Sequence, residues 1–373
     1  MNFISRCIQL VKRFDSRFLF QGPQIVLPAI LSEFLSSNPL NIGDVGAAGG
    51  VDARWRPLLK YCRFLTFDPQ PDNCKAEPNT RNYPICLGAN KERRSLHLTA
   101  FSQCSSIYEI NVNRIQDFAV AECFKVIQVA QVHLDTLDNC LSTDPSWTPD
   151  FLKIDVEGAE LDVLRGGEQS LKRIMGLRVE VNFLQRHKNA PLFGEVDEFL
   201  RGHGFELFAL TRELMMRRNQ LHTPLSQPQL VWGDSIYFLS KASVLQRLSE
   251  SDGKEREAFL AKFIIILLSH RVHDYAIEII EEAARQQFIA ETFSVTLKQM
   301  VRSSAGGMTS WLLNALGGVL LASLIYLVSF PSKHARRSAT FYLKERAGFL
   351  FYYFWRITAR GGEHNASISD PLL

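Results

Sequence analysis

No cysteine follows Cys140, and the seven present, at positions 7, 62, 74, 86, 104, 123 and 140, include no Cys-x-x-Cys pair. An odd number without a completing histidine spacing argues against both a zinc site and a disulfide framework, and leaves reduced thiols as in a cytosolic protein. The first twenty residues have no uncharged apolar stretch, because Arg6, Lys12, Arg13 and Arg17 interrupt it, so a secretory signal is not expected there. They form instead the pattern of a basic amphipathic helix, with Phe3, Ile4, Cys7, Ile8, Val11, Phe14 and Phe18 near one face. The Gly-x-Gly-x-x-Gly turn of nicotinamide dinucleotide sites is absent. A net charge of +3 over 373 residues is too small to point to a nucleic-acid partner.

Charge is also missing from one long stretch. Between 303 and 332 no Asp, Glu, Lys or Arg occurs, and 308–330 is almost wholly apolar. Such a run would reach about 34 Å as a helix, enough to cross a bilayer, although Asn314, Gly317 and Gly318 weaken it. Residues 331–360 then carry seven Lys or Arg against one acid, interleaved with aromatics, a pattern that suits a membrane interface. The expectation is a peripheral or re-entrant segment on the cytosolic face of a membrane, since one crossing would place the basic tail outside.

What is present centres on Asn41-Ile42-Gly43-Asp44-Val45-Gly46-Ala47-Ala48-Gly49-Gly50. Leu40 and Ile42 open a strand that ends near Asp44. Gly46, Gly49 and Gly50 allow a sharp turn and close approach of a ligand, and a helix is predicted over 51–60. A second strand, 63–67, ends at Asp68 and Pro69. Asp68 lies 22 residues past Gly46, about the spacing at which a carboxylate receives ribose hydroxyls. Further strands are predicted at 83–87, 95–99, 126–134, 151–154, 177–181, 204–208 and 235–239. Alternation with helices from about 40 to 240 predicts an α/β fold, a mainly parallel sheet with helices on both faces. The polar loop holding Ser105 and Ser106 fits ordinary turn chemistry, and both serines are also candidate cofactor contacts.

The second informative run is Asp150-Phe151-Leu152-Lys153-Ile154-Asp155-Val156-Glu157-Gly158-Ala159-Glu160. Phe151 to Ile154 has the pattern of a buried strand, with Asp155 and Glu157 at its carboxyl end, where open α/β sheets bind ligands. Glu160 is explained by the dipole of the following helix, whereas an acid at Asp155 is costly to bury without a purpose. Asp155, Glu157 and His187, the last in a polar loop, are the candidate proton acceptors, with His133 behind them. No ligand spacing demands a metal.

These segments resemble the FkbM-type S-adenosylmethionine-dependent methyltransferases. The resemblance is carried by Asp44-Val45-Gly46-Ala47, Phe67-Asp68-Pro69, Thr136-Leu137-Asp138 and above all the run from Asp150 to Glu160, with Val163, Leu164, Gly166, Glu180, Gly204 and Phe205 behind it. It covers roughly 40–240. It departs where the family often has Asn after the first Gly-Ala, since Ala48-Gly49-Gly50 stands here. The resemblance implies a Rossmann-like class I methyltransferase sheet and S-adenosylmethionine held by Asp44, Gly46, Ala47, Asp68 and Pro69, and Gly49, Ser105 and Ser106 are further candidate contacts. It further implies transfer to a hydroxyl of a glycan, lipid-linked or secondary-metabolite acceptor. A module that keeps the fold without catalysis is the competing class.

The expected organisation is an N-terminal helical segment (1–39), a methyltransferase domain (40–245), a helical hairpin (254–302) and a membrane-associated tail (303–373). The polar break around 249–254 makes truncation at Asp252 the expected way to isolate the cofactor-binding domain.

Overall fold

The computed structural model describes residues 25–305 apart from 48, 49, 51, 71–78, 119, 216 and 219–227. The N-terminal helix expected before residue 25 lies outside the described residues, as do the candidate contact Gly49 and the apolar and basic runs beyond 305. No helix among the described residues is long and apolar enough to cross a membrane.

A short helix α1 (Ala29–Ser37) leads into β1 (Leu40–Val45), whose buried side chains place it at the centre of the main sheet. β1 runs parallel to β2 (Cys62–Phe67) on one side and to β7 (Phe151–Ile154) on the other. β3 (Thr80–Tyr83) extends the sheet beyond β2, and β8 (Gly176–Asn182) extends it beyond β7, both in parallel. β11 (Gln229–Leu239) then pairs antiparallel with β8, and it holds β9 (Phe205–Leu210) and β10 (Glu213–Met215) antiparallel in turn. The sheet is therefore mainly parallel with an antiparallel flank, as a Rossmann-like class I methyltransferase sheet requires.

Two local departures have a common cause. The strand expected over 83–87 is divided, because Pro84 has no N–H to give to a ladder. β3 ends at Tyr83, and β4 (Cys86–Leu87) joins a second, three-stranded sheet with β5 (Arg93–Thr99) and β6 (Val126–Asp135). Likewise the helix expected over 51–60 is a 3-10 helix, Ala53–Tyr61, with Pro57 inside it and Asp52 accepting from the Arg54 amide at its start. Between β5 and β6 lies a small helix α2 (Val112–Ile115). The remaining connections carry α3 (Leu137–Ser142), α4 (Glu160–Arg165), α5 (Glu168–Leu171) and α6 (Phe193–Gly202).

After β11 come α7 (Lys241–Glu250), α8 (Gly253–Ser269), α9 (His273–Arg285) and α10 (Glu291–Ser304). α8 is buried without interruption from Phe263 to Ser269, as befits a stretch apolar on all sides. Its Lys262 Nζ lies 2.8 Å from Asp150 Oδ2, and the ring of His270 sits 4.7 Å from that of Phe151 and 5.3 Å from that of Phe238. Tyr275 on α9 donates to the Leu239 carbonyl. Residues Ile25–Ser304 form one compact unit, and packing continues across the polar break at Ser251 and Asp252. Removing Leu260, Phe263, Ile264, Ile265, Leu267 and Leu268 would forfeit on the order of 10 kcal/mol of burial, comparable to the whole stability of a typical domain. A chain cut at Asp252 would uncover the sheet, so the expected cut point moves to the end of α10.

Candidate active site

The carboxyl ends of β2, β1, β7 and β8 open together into a cavity of about 640 Å³. Asp44 and Lys153 are register partners on β1 and β7, and Lys153 Nζ lies 3.0 Å from Asp44 Oδ1 and 3.4 Å from Asp155 Oδ2. Burial raises the Asp44 carboxyl above its ordinary range, with Lys153 opposing. Burial alone would lower Lys153, but the carboxylates of Asp44 and Asp155 outweigh it and raise the ammonium. The group thus stays cationic.

Gly46 follows with φ +81°, and a Cβ there would lie 1.9 Å from the Asp155 carbonyl oxygen. Only glycine allows the β1 turn to pass that close to the β7 turn. The Gly46 amide donates to the Phe67 carbonyl, which ties the turn to the end of β2. One residue beyond that carbonyl stands Asp68, buried, with Oδ1 accepting from the Gln70 amide.

Beside the β1 turn, the turn after β7 adopts an uncommon backbone. Glu157 has φ +57° and Gly158 has φ +106°. A side-chain-bearing residue in this region costs about 1–3 kcal/mol and is held only where its surroundings compel it. Glu160 supplies the constraint, its buried carboxyl accepting from the amides of Val156 and Gly158. Ser106 Oγ also donates to the Glu157 carbonyl at 2.7 Å. Burial pushes the Glu160 carboxyl up to about 8, reinforced by Glu180 and opposed by these amides.

Arg186 closes the far side. Its guanidinium is almost fully buried, 3.0 Å from Glu157 Oε2 and 3.0 Å from Glu180 Oε2, and its Nε donates to Asn182 Oδ1. It lies over the ring of Trp232 at 4.8 Å. Burial pushes Glu157 up to about 7 despite Arg186, with Asp155 and Glu160 adding to the rise, and burial likewise raises Glu180 well above the usual carboxylate range. Oxygens of Asp155, Glu157 and Glu180 lie within 4.8 Å of one another, a donor set of the kind a divalent ion takes, and Arg186 already supplies positive charge there.

The structure brings Asp44, Gly46, Asp68, Pro69, Ser105, Ser106, Asp155 and Glu157 to one cavity lining. Two expected contacts stand apart from it. Ala47 is buried, and His187 is fully buried behind Gly158, whose Cβ position would lie 3.2 Å from Nδ1. With no exposed ring nitrogen, and a pKa driven down to about 3 by burial and by Arg186, His187 is not placed to take a proton from a ligand. His133 is exposed on β6. Arg178, Glu180, Arg186 and Trp232 also line the cavity, and the sequence reading gave none of them a role there. The one available signal was two acids and an arginine within thirty residues.

Residues 44–207, from the cradle acid through β8 and into β9, match the methyltransferase FkbM domain. This stretch is an FkbM methyltransferase domain. The run from Asp150 to Glu160 thereby gains a physical account: Asp150 anchors α8, Lys153 neutralises two acids, Glu157 enters the cavity and Glu160 holds its backbone. Among solved structures, the chain is similar to Burkholderia thailandensis 1,6-didemethyltoxoflavin-N1-methyltransferase, crystallised with 1,6-didemethyltoxoflavin and S-adenosylhomocysteine. Identity is 11%, the match covers 64% of this chain and 88% of that one, and the TM-score is 0.22. No curated protein matches the sequence significantly.

Proposed function

We propose that this methyltransferase uses S-adenosylmethionine and acts on a hydroxyl of a glycan, lipid-linked or secondary-metabolite acceptor. The observation that carries the reading is one cavity with a nucleoside cradle at its β1–β2 side and paired carboxylates at its β7–β8 side. The cofactor supplies, when bound, a methyl group already activated on a sulfonium. The glycine-only approach at Gly46 and the buried acid at Asp68 fit it: Asp68 would hold the ribose hydroxyls, while Asp44, neutralised by Lys153, fixes the turn. Glu157, whose pKa lies near 7, takes the proton from the acceptor hydroxyl and frees its oxygen to act as nucleophile. Asp155 beside it orients the hydroxyl or receives the proton in its place.

Asp68→Ala should weaken S-adenosylmethionine binding by about 10- to 100-fold, the size of one or two hydrogen bonds to a charged group. Isothermal titration would measure it, and an unchanged affinity would remove Asp68 from the site.

The proposal extends to contact with the cytosolic face of a membrane through residues 303–360, on their sequence pattern alone. Basic residues near anionic lipid contribute about 1 kcal/mol each. In fractionation at low salt, the full chain should pellet with membranes and a chain ending at Ser304 should remain in the supernatant. Full-length protein wholly in the supernatant would end this part of the proposal.

A further inference from the structure

The two halves of the cavity differ in chemistry. Following the sheet, β2 and β1 give acids and a bare backbone turn, and β7 and β8 give the carboxylates with Lys153, Arg178 and Arg186. At the β11–β10 flank the lining turns apolar. Trp232 and Met215 come from those strands, and Phe101, Val120, Cys123 and Phe124 come from the segment between β5 and β6. Phe101 and Val120 are 51% and 40% exposed, so this apolar wall includes surface that still faces water.

The cations of the lining are all engaged. Lys153 is held by Asp44 and Asp155, Arg178 by Asp52 and Asp234, and Arg186 by Glu157 and Glu180. Among the described residues no other Lys or Arg lines the cavity. A phosphate or carboxylate on the acceptor would meet no spare cation and would lie against these acids, at the cost of its own desolvation. An apolar body would instead displace water from the Phe101–Trp232 wall.

Resting on the methyltransferase reading above, we infer that the acceptor is an uncharged molecule with an apolar body at least the size of an aromatic ring. That body packs on the wall formed by Phe101, Val120, Phe124 and Trp232 and presents its hydroxyl to Glu157. Phosphorylated and acidic acceptors, including pyrophosphate-linked glycans, fall outside this class.

The experiment incubates the full chain with methyl-labelled S-adenosylmethionine and a total small-molecule extract, then separates the product by anion exchange and by partition into organic solvent. Cofactor affinity is measured in parallel by titration. Label should enter the neutral, organic-soluble fraction. Phe101→Asp and Val120→Asp, both at exposed positions, should lower kcat/KM for that product at least tenfold with cofactor affinity unchanged, whereas Ile30→Asp, at an exposed position outside the cavity lining, should retain the rate. Label retained on the anion exchanger or left in the aqueous phase would overturn the inference while leaving the methyltransferase reading intact. Aspartate variants as fast as the parent would also overturn it. Absence of both cofactor binding and label would overturn the reading itself, and the inference with it.

Discussion

Glu157→Gln should cut turnover by about 10²-fold or more while the dissociation constant for S-adenosylmethionine stays within about twofold. Asp155→Asn should do the same. Both changes keep the size of the side chain and remove only the charge that can accept a proton. Neither residue belongs to the β1–β2 cradle, which is why binding should survive. The pH profile separates the two. Glu157 accepts a proton only when ionised, and burial pushes its carboxyl up to about 7. For the parent enzyme kcat/KM should therefore climb as pH rises through about 7, and this limb should vanish in Glu157→Gln. If both variants work at near-parent rates on the true acceptor, proton removal does not pass through this pair of acids.

Loss of Arg186 should be the most damaging single change to stability. Arg186→Ala leaves Glu157 and Glu180 buried without their shared cation, a situation that costs about 3–5 kcal/mol. For a unit of this size that is roughly 10 °C in melting temperature. The sign of the pH dependence follows from the raised carboxyls. Glu157 and Glu160, pushed to about 7 and about 8, hold protons in the folded state that the unfolded chain releases above about 4.5. Their stabilisation is complete below that value and is lost as pH rises through 7 and 8. Without Arg186 the acids lose the charge that opposes their rise, so the decline towards alkaline pH should steepen. Urea denaturation at pH 5.5 and 8.5 would measure both effects. A loss below about 1 kcal/mol, as for an exposed arginine, would show that the buried pairs do not hold the turn.

The sheet was legible in the sequence because its central strands are short, mainly apolar runs with an acid at or next to the carboxyl end. Leu40 to Asp44, Arg63 to Asp68 and Phe151 to Asp155 all follow that rule, and the β7 bounds agree with the expectation residue for residue. The divided strand at Pro84 and the 3-10 turn at Pro57 were legible in principle, since a missing N–H is visible in the sequence itself. Arg186 was not. Gln185-Arg186-His187-Lys188-Asn189 has the composition of a solvated loop, and its burial depends on Glu157 and Glu180 arriving from two different strands. The same polar run made His187 a candidate, whereas it is fully buried behind Gly158. The apolar wall was hidden for another reason. Phe101, Val120 and Trp232 lie more than one hundred and thirty positions apart at the extremes, and no periodicity joins residues that meet only across a sheet flank.

The division of the cavity between strand groups has an evolutionary consequence. The β1–β2 side is written in a few consecutive residues after those strands, where Gly46 tolerates no side chain. The opposite wall is written in the connection between β5 and β6 and in the β10–β11 flank, neither of which contributes to the turn at Gly46. Descendants of one ancestral chain can therefore diversify what they modify by rewriting Phe101, Val120, Phe124 and Trp232, while Ser106 and the turns at Gly46 and Glu157 stay fixed.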